Sequence, residues 1–201
     1  WGDNSVGQLG NGSTESSMVP VAVSGDLRFK SISADWDYTC GVTEDNDAYC
    51  WGRGRYGRLG NGSSKNRMIP TAVSGDLSFE SVNSGMAHTC GLTTDGDAFC
   101  WGLNEDGILG NNSLETSLVP AAVSGGHTFG SINAGSATTC GITTNGDAYC
   151  WGAGDFGRLL GQGEYDRGNK VAPGLVVGEF NFKPDSISVG LDHACAITTA
   201  D

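Results

Sequence analysis

Short apolar runs, in which small residues alternate with bulky ones, recur on either side of a polar turn every fifty positions along this chain. Cys90-Gly91-Leu92-Thr93 and Ala98-Phe99-Cys100-Trp101 flank a polar turn at Asp95-Gly96, and near copies flank Asp45-Asn46 and Asn145-Gly146. A period of two in short runs separated by Asn, Asp and Gly predicts β-hairpins, and strong helical periodicity is absent. A three-residue loop, in which Asn46, Gly96 and Gly146 take the left-handed position, pairs Thr93 with Asp97 and therefore Cys90 with Cys100. Alternation makes that a non-hydrogen-bonded pair, where Cα atoms approach most closely. Three cross-strand disulfides follow as expectations: Cys40–Cys50, Cys90–Cys100 and Cys140–Cys150. Cys90, Leu92, Ala98 and Cys100 share one face, while Phe99 and Trp101 lie on the other above Gly91. One face is small, the other bulky, and neither is polar. Both should be buried, the bulky face of one hairpin filling the small face of the next.

The spacing of the remaining signals completes a unit. Each hairpin is followed by Trp-Gly, a variable loop, Leu-Gly-Asn, and a segment leading to Pro20, Pro70 or Pro120, which is expected to open a strand. A further strand carries Phe29 and Ile32, Phe79 and Val82, or Phe129 and Ile132. Four strands per unit is a propeller-blade count. The expected fold is all-β, with blades of four antiparallel strands in four repeats, 1–50, 51–100, 101–150 and 151–201. The last is irregular: Cys195 follows Cys140 by fifty-five residues, and RLLGQGEYDRGNKVAPG (158–174) replaces the regular loop. That insertion reads as loop decoration or as a binding loop. Cys195 has no partner ten residues on. The array is expected to be part of a larger propeller or to stay open, with head-to-tail joining as one route to assembly.

The stretches WGDNSVGQLGNGS (1–13) and SGMAHTCGLTTDGDAFCWG (84–102) resemble the regulator of chromosome condensation repeat family, and the resemblance runs through nearly the whole chain. It implies a propeller of about seven blades. The family's founding member is a nuclear exchange factor for a small GTPase that binds chromatin, and secreted bacterial relatives include a protein inhibitor of β-lactamases. The cysteine pairs depart from the founding member and point to secretion.

Charge narrows the partners. The chain carries 11 Lys and Arg against 23 Asp and Glu, for a net charge of −12. Nucleic acid and anionic membranes need clustered cations, so neither is expected. No run is long and apolar enough for a membrane-spanning helix, so membrane insertion is not expected. Paired cysteines suit an oxidising, extracellular setting; buried thiols or a metal site are the other readings, and a ten-residue separation is not a zinc spacing.

Candidate chemistry is sparse. His88 and His193 precede the cysteine strand at a repeat position and lack a positioned nucleophile, so no catalytic residues are assigned and no enzyme activity is expected. His127 reads as a solvated turn residue. The acidic turns offer too few oxygens for calcium, so neither metal nor cofactor is expected. Asn11, Asn61 and Asn111 each open an N-x-S sequon, which is a glycosylation candidate or simply a turn. The binding candidates lie in two variable sites. One is Trp36 and Tyr38, a recognition patch if exposed and core if buried. The other is the loop after Trp-Gly: Arg53, Arg55, Tyr56 and Arg58 in the second unit, Glu105 and Asp106 in the third. Arg and Tyr are enriched at interface hot spots. The expected role is a non-catalytic extracellular module for protein recognition or adhesion. A structural filament and an exchange factor-like regulator are the alternatives. The expected partner is a protein or further copies of this chain.

Overall fold

The computed structural model describes residues 1–154, 160–163, 168–191 and 193–199. Three four-stranded antiparallel sheets stand side by side. The first is β1 (Phe29–Asp35), β2 (Tyr38–Thr43), β3 (Ala48–Gly52) and β4 (Arg67–Ala72). The second is β5 (Phe79–Ser84), β6 (His88–Thr93), β7 (Ala98–Gly102) and β8 (Ser117–Ala122). The third is β9 (Phe129–Ala134), β10 (Thr138–Thr143), β11 (Ala148–Gly152) and β12 (Lys170–Leu175). A two-stranded sheet, β13 (Ser188–Val189) with β14 (Ala194–Cys195), follows the third. These are propeller-type blades, and they straddle the sequence repeats: each takes three strands from one unit and its outermost strand from the next. Gly2 bridges Ser17 as Gly52 pairs with Arg67, Gly102 with Ser117 and Gly152 with Lys170.

The hairpins form as the turn chemistry requires. The Thr93 N–H donates to the Asp97 carbonyl and the Gly96 N–H to the Thr93 carbonyl, which closes the three-residue loop. Asn46, Gly96 and Gly146 sit at φ 68°, 83° and 89°, the left-handed position that fixes the register. Cys40 then faces Cys50, Cys90 faces Cys100 and Cys140 faces Cys150, all three pairs bonded with Cα atoms 4.1 Å apart.

Burial follows the two-faced pattern. All six residues of β2, β6 and β10 are buried. The small face of the first blade (Cys40, Val42, Ala48, Cys50) packs against Phe79 and Trp101 of the second, whose own small face packs against Phe129 and Trp151 of the third. The ring above Gly91 is a correction. A Cβ there would meet Phe79 at 2.5 Å, with Trp101 behind it at 3.4 Å, while Phe99 is only half-buried. The strand signal in Phe79 therefore supplies the cover that had been given to Phe99.

The prolines are a second correction. Pro70 and Pro120 do not open strands but lie inside β4 and β8, as Pro173 lies inside β12, where the pairing with the neighbouring strand shifts register. An outermost strand at a bulge tolerates the missing N–H. Pro20 lies outside any strand.

Two devices stitch neighbouring blades. Where the loop after each Trp-Gly meets the next blade, one loop carbonyl accepts two bonds. The Arg58 carbonyl takes Thr89 Oγ1 at 2.8 Å and Trp101 Nε1 at 2.9 Å, and the Ile108 carbonyl takes Thr139 Oγ1 at 2.7 Å and Trp151 Nε1 at 3.0 Å. Along the innermost strands, a side chain satisfies the next blade's free N–H. Ser33 Oγ accepts from Ser84 N, Asn83 Oδ1 from Ala134 N and Asn133 Oδ1 from Val189 N, at 2.8–3.0 Å. Buried polar groups thus find partners across the blade junctions rather than within a sheet.

Candidate functional site

The two variable sites meet at one end of the first blade. Asp35 pairs with Tyr38, so Trp36-Asp37 is the two-residue turn between β1 and β2. The Arg53 N–H, just past β3, donates to the Asp37 carbonyl at 2.9 Å. This bond sets the turn against the loop that follows Trp51-Gly52. Asp37 also joins them through its carboxylate: Oδ2 lies 2.6 Å from Arg53 Nε and Oδ1 lies 3.1 Å from Arg58 Nη1.

The expected site residues separate here into surface and core. Trp36 is 79% exposed at φ 45°, a backbone conformation uncommon for a bulky residue and held in place by the turn. Tyr38 falls on the other side of the alternative: it is buried and belongs to the core, not to the candidate binding surface. Its hydroxyl crosses to the second blade, 2.7 Å from the His88 carbonyl and 2.9 Å from the Gly85 carbonyl. Burial raises its pKa, so it stays protonated and can donate. Arg58, expected in the binding loop, is a correction. It is buried, with Nε donating to the Arg55 carbonyl at 3.1 Å and Nη1 to the Met86 carbonyl at 2.9 Å. Its guanidinium sits 5.4 Å from the Tyr38 ring centroid and 6.0 Å from that of Tyr56. Burial lowers its pKa, and Tyr38 and Asp37 oppose that shift.

Arg53, Arg55 and Tyr56 remain at the surface. Arg55 is exposed and stacks 4.4 Å over the Tyr56 ring, while Tyr56 lies at φ 63° inside a short 3-10 turn, Arg55–Gly57. Glu105 is exposed in the equivalent loop one blade on. Its neighbour Asp106 accepts from Asn169 Nδ2 at 3.0 Å. The arginine loop and the acidic loop are therefore adjacent counterparts rather than a joint site.

The histidines and sequons are also placed. His88 is fully buried, and its Nε2 lies 2.8 Å from Thr139 Oγ1. Thr139 gives its own proton to Ile108, so His88 donates through Nε2. Burial, with Arg58 adding to it, holds the imidazole neutral by lowering its pKa to about 3. His127 is not a solvated turn residue: it is half-buried, with its ring 4.1 Å from that of Tyr149. In the sequon loops, Asn11 and Asn111 accept through Oδ1 from Asn4 and Asn104 at 3.2 Å. Nδ2 of Asn61 is buried, which is a poor position for a glycan acceptor. Among the described residues no group of three or more His, Cys, Asp or Glu is placed to hold a metal ion, and no helix is long and apolar enough to cross a membrane. Of the insertion 158–174, residues 158–159 and 164–167 lie outside the described residues, as does Asp192 beside His193.

Reading by repeats missed Asn4 and Asn104. Each is fully buried and organises its loop: Oδ1 accepts from Leu9 or Leu109 N at 2.9 Å, and Nδ2 donates to the carbonyls of Ser13 and Glu15, or Ser113 and Glu115, at 2.9–3.1 Å. The available signal was Trp-Gly-x-Asn in units one and three against Trp-Gly-x-Gly in units two and four. In the latter, Asn66 and Asn169 fill the gap by accepting from Gly54 and Gly154 N.

Stacked four-stranded blades, one loop carbonyl shared by Trp and Thr, and a Cys-to-Cys hairpin define a propeller repeat protein. The chain belongs to the regulator of chromosome condensation (RCC1) repeat family, whose model matches residues 1–42, 45–92 and 95–142. A second model of the same repeat matches 29–58, 79–108 and 131–158. The chain is 45% identical over 51 residues to the ultraviolet-B receptor UVR8 of Arabidopsis thaliana, a stretch that is 24% of this chain and 12% of that protein. Human WBSCR16 has a similar structure, with TM-score 0.85 and 21% identity over 99% of this chain and 52% of that one. Yeast RCC1 (Prp20), solved with Kap60 bound, superposes with TM-score 0.79 and 19% identity over 100% of this chain and 50% of its own. The chain therefore spans about half the length of these solved structures.

Proposed function

We propose that this chain is a non-catalytic, extracellular recognition module that binds a protein partner through the end of the first blade where Trp36 meets the Arg53–Tyr56 loop. The observation that carries this is Trp36: a large aromatic residue at φ 45°, 79% exposed, anchored through Asp37 to two arginines. Strain of this kind persists only where the surroundings hold it, and it gathers at functional positions. Aromatic and Arg side chains are also the usual anchors of protein interfaces. Family membership supports protein binding in general, as does the Kap60-bound yeast relative. The three disulfides support an oxidising, extracellular setting. Burial of His88 against Thr139 supports a structural role for that histidine.

A photo-crosslinking amino acid at position 36 or 55, with a control at position 95 on the opposite hairpin end, tests the reading in the protein's native fluid. A discrete partner marked from 36 and 55 but not from 95 is the expected result. Equal marking from both ends, or none, overturns it. Ile32 is 56% exposed, whereas its counterparts Val82 and Ile132 are 7% exposed beneath a neighbouring blade. A further blade of this protein or one from a second copy would cover it alike, and assembly with further copies is the second reading. Sedimentation that does not change with concentration would end that reading. An exchange factor-like role has only family support, and it predicts faster nucleotide release from a small GTPase.

A further inference from the structure

The recognition reading leaves the partner's chemistry open, and the charge layout narrows it. Five of the 11 Lys and Arg residues of the chain lie between positions 53 and 67, and none of its 23 Asp and Glu residues does. The fold gathers these cations. The Gly54 N–H donates to Asn66 Oδ1 at 3.1 Å, and a Cβ at Gly54 would collide with the Lys65 carbonyl, so the two arms of the loop touch there. Arg53 and Arg55 are thereby set beside Lys65 and Arg67. Asp37 engages Arg53 and Arg58. Among the described residues no carboxylate lies in salt-bridge reach of Arg55, Lys65 or Arg67. Arg55 and Lys65 are exposed and Arg67 is half-buried. The Arg55 guanidinium lies over the Tyr56 ring, and its planar fork of donors suits a carboxylate. The equivalent loops carry Asp3 and Glu15 in the first unit and Glu105, Asp106 and Glu115 in the third.

We infer that this face docks a short acidic segment of a protein partner, with Arg55, Lys65 and Arg67 meeting its carboxylates and Trp36 covering an apolar side chain within it. The inference rests on the recognition reading. The segment must be short, because a longer polyanion would run off the patch onto an acidic surface. Arg favours paired, in-plane contacts to carboxylates, and charged contacts of this kind set orientation and on-rate.

Fluorescence anisotropy with a fluorescein-labelled octapeptide of Asp and Glu carrying a central Phe tests it. The expected result is saturable binding that the double substitution Arg55→Glu/Lys65→Glu weakens roughly tenfold or more, and that added salt also weakens. Trp36→Ala should weaken binding less, and Glu105→Gln should leave it unchanged. An unchanged urea midpoint confirms that the doubly substituted chain is folded. Absence of saturable binding, or equal binding by the doubly substituted chain, overturns the inference. Tighter capture of duplex DNA or a heparin oligosaccharide through the same residues overturns the protein assignment. A dimer of the chain that Arg55→Glu dissolves, with no peptide binding, assigns the face to a second copy instead. If the peptide fails while crosslinking from 36 and 55 still marks a partner, recognition stands and the acidic assignment falls.

Discussion

The junction between the first and second blades and the junction between the second and third use the same backbone with different side chains. In both, a loop carbonyl (Arg58 or Ile108) accepts from a Trp indole and a Thr hydroxyl. In both, the residue opening the hairpin reaches the next blade: Tyr38 to carbonyls of Gly85 and His88, His88 to the Thr139 hydroxyl. The side chain on the loop residue then diverges. Ile108 is buried with Ala87 at the position equivalent to Asp37, and no charge is present. Arg58 is buried with Asp37 and carries Arg53 and Tyr56 with it. The architecture resides in the carbonyl, so the side chain is free to differ, and the first junction uses that freedom to build a charged, aromatic surface.

If the carbonyl is the common element, removing its indole partner should damage both junctions equally. Trp101→Ala and Trp151→Ala should each cost about 3–5 kcal/mol in urea unfolding, as large aromatic truncations in a core do. A much smaller loss at either one would mean that junction is held by something else. The next effect separates the hairpin-opening residues by pH. The folded pKa of His88 is about 3 and the unfolded value is about 6.5, so its contribution is full above the unfolded value and is lost as pH falls toward the folded one. His88→Thr, the residue found at position 138, should lose less stability between pH 7 and pH 4 than the unsubstituted chain. Parallel losses would show that His88 titrates normally.

The sequence made the blades legible because their causes are local. Turn residues at Asp95-Gly96 set the loop, the loop sets the register, and the register brings Cys90 to Cys100. What it hid is non-local. Phe79 covers Gly91 from twelve positions earlier, on the preceding strand, while Phe99 sat nearer in the pattern. Pro70 marked the presence of a strand, yet its place within the strand depends on a bulge against β3. The site divided along the same line. Arg53, Arg55 and Tyr56 read as a surface loop, and they are one. Arg58 looked equivalent to them, and Tyr38 stood open between patch and core, because a repeat position does not say whether a side chain faces solvent or the adjoining blade. Asn4 and Asn104 were legible only as a difference between units, since Gly54 and Gly154 take their place.

The charged junction can be brought closer to the apolar one by a single change. Arg58→Met removes a buried cation but leaves the carbonyl and leaves Asp37 on Arg53. It should cost no more than about 1 kcal/mol, since buried ion pairs are often replaceable by apolar residues of similar volume. Asp37→Asn instead strands a buried guanidinium, and should cost about 1–3 kcal/mol. The reverse order, with Arg58→Met the costlier, would mean the arginine supports the blade as well as the surface.

The smallest effect concerns Asp35, which occupies the position of Gly85 and Gly135 and precedes Trp36 in the exposed turn. Burial raises its pKa, against the Trp36 N–H and Arg58, which lower it. A carboxyl raised in this way favours the fold when protonated. That contribution is complete below its unfolded value and is lost as pH rises through the folded one. Asp35→Asn should therefore raise the urea midpoint slightly at pH 7 and leave it unchanged at pH 3. That difference would mean the first blade carries an ionised, half-buried carboxylate at neutral pH next to its most exposed tryptophan, so that stability is given up where the surface is presented. A gain that is equal at both pH values would instead assign the cost to the shape of the side chain, at a position where the other two blades have none.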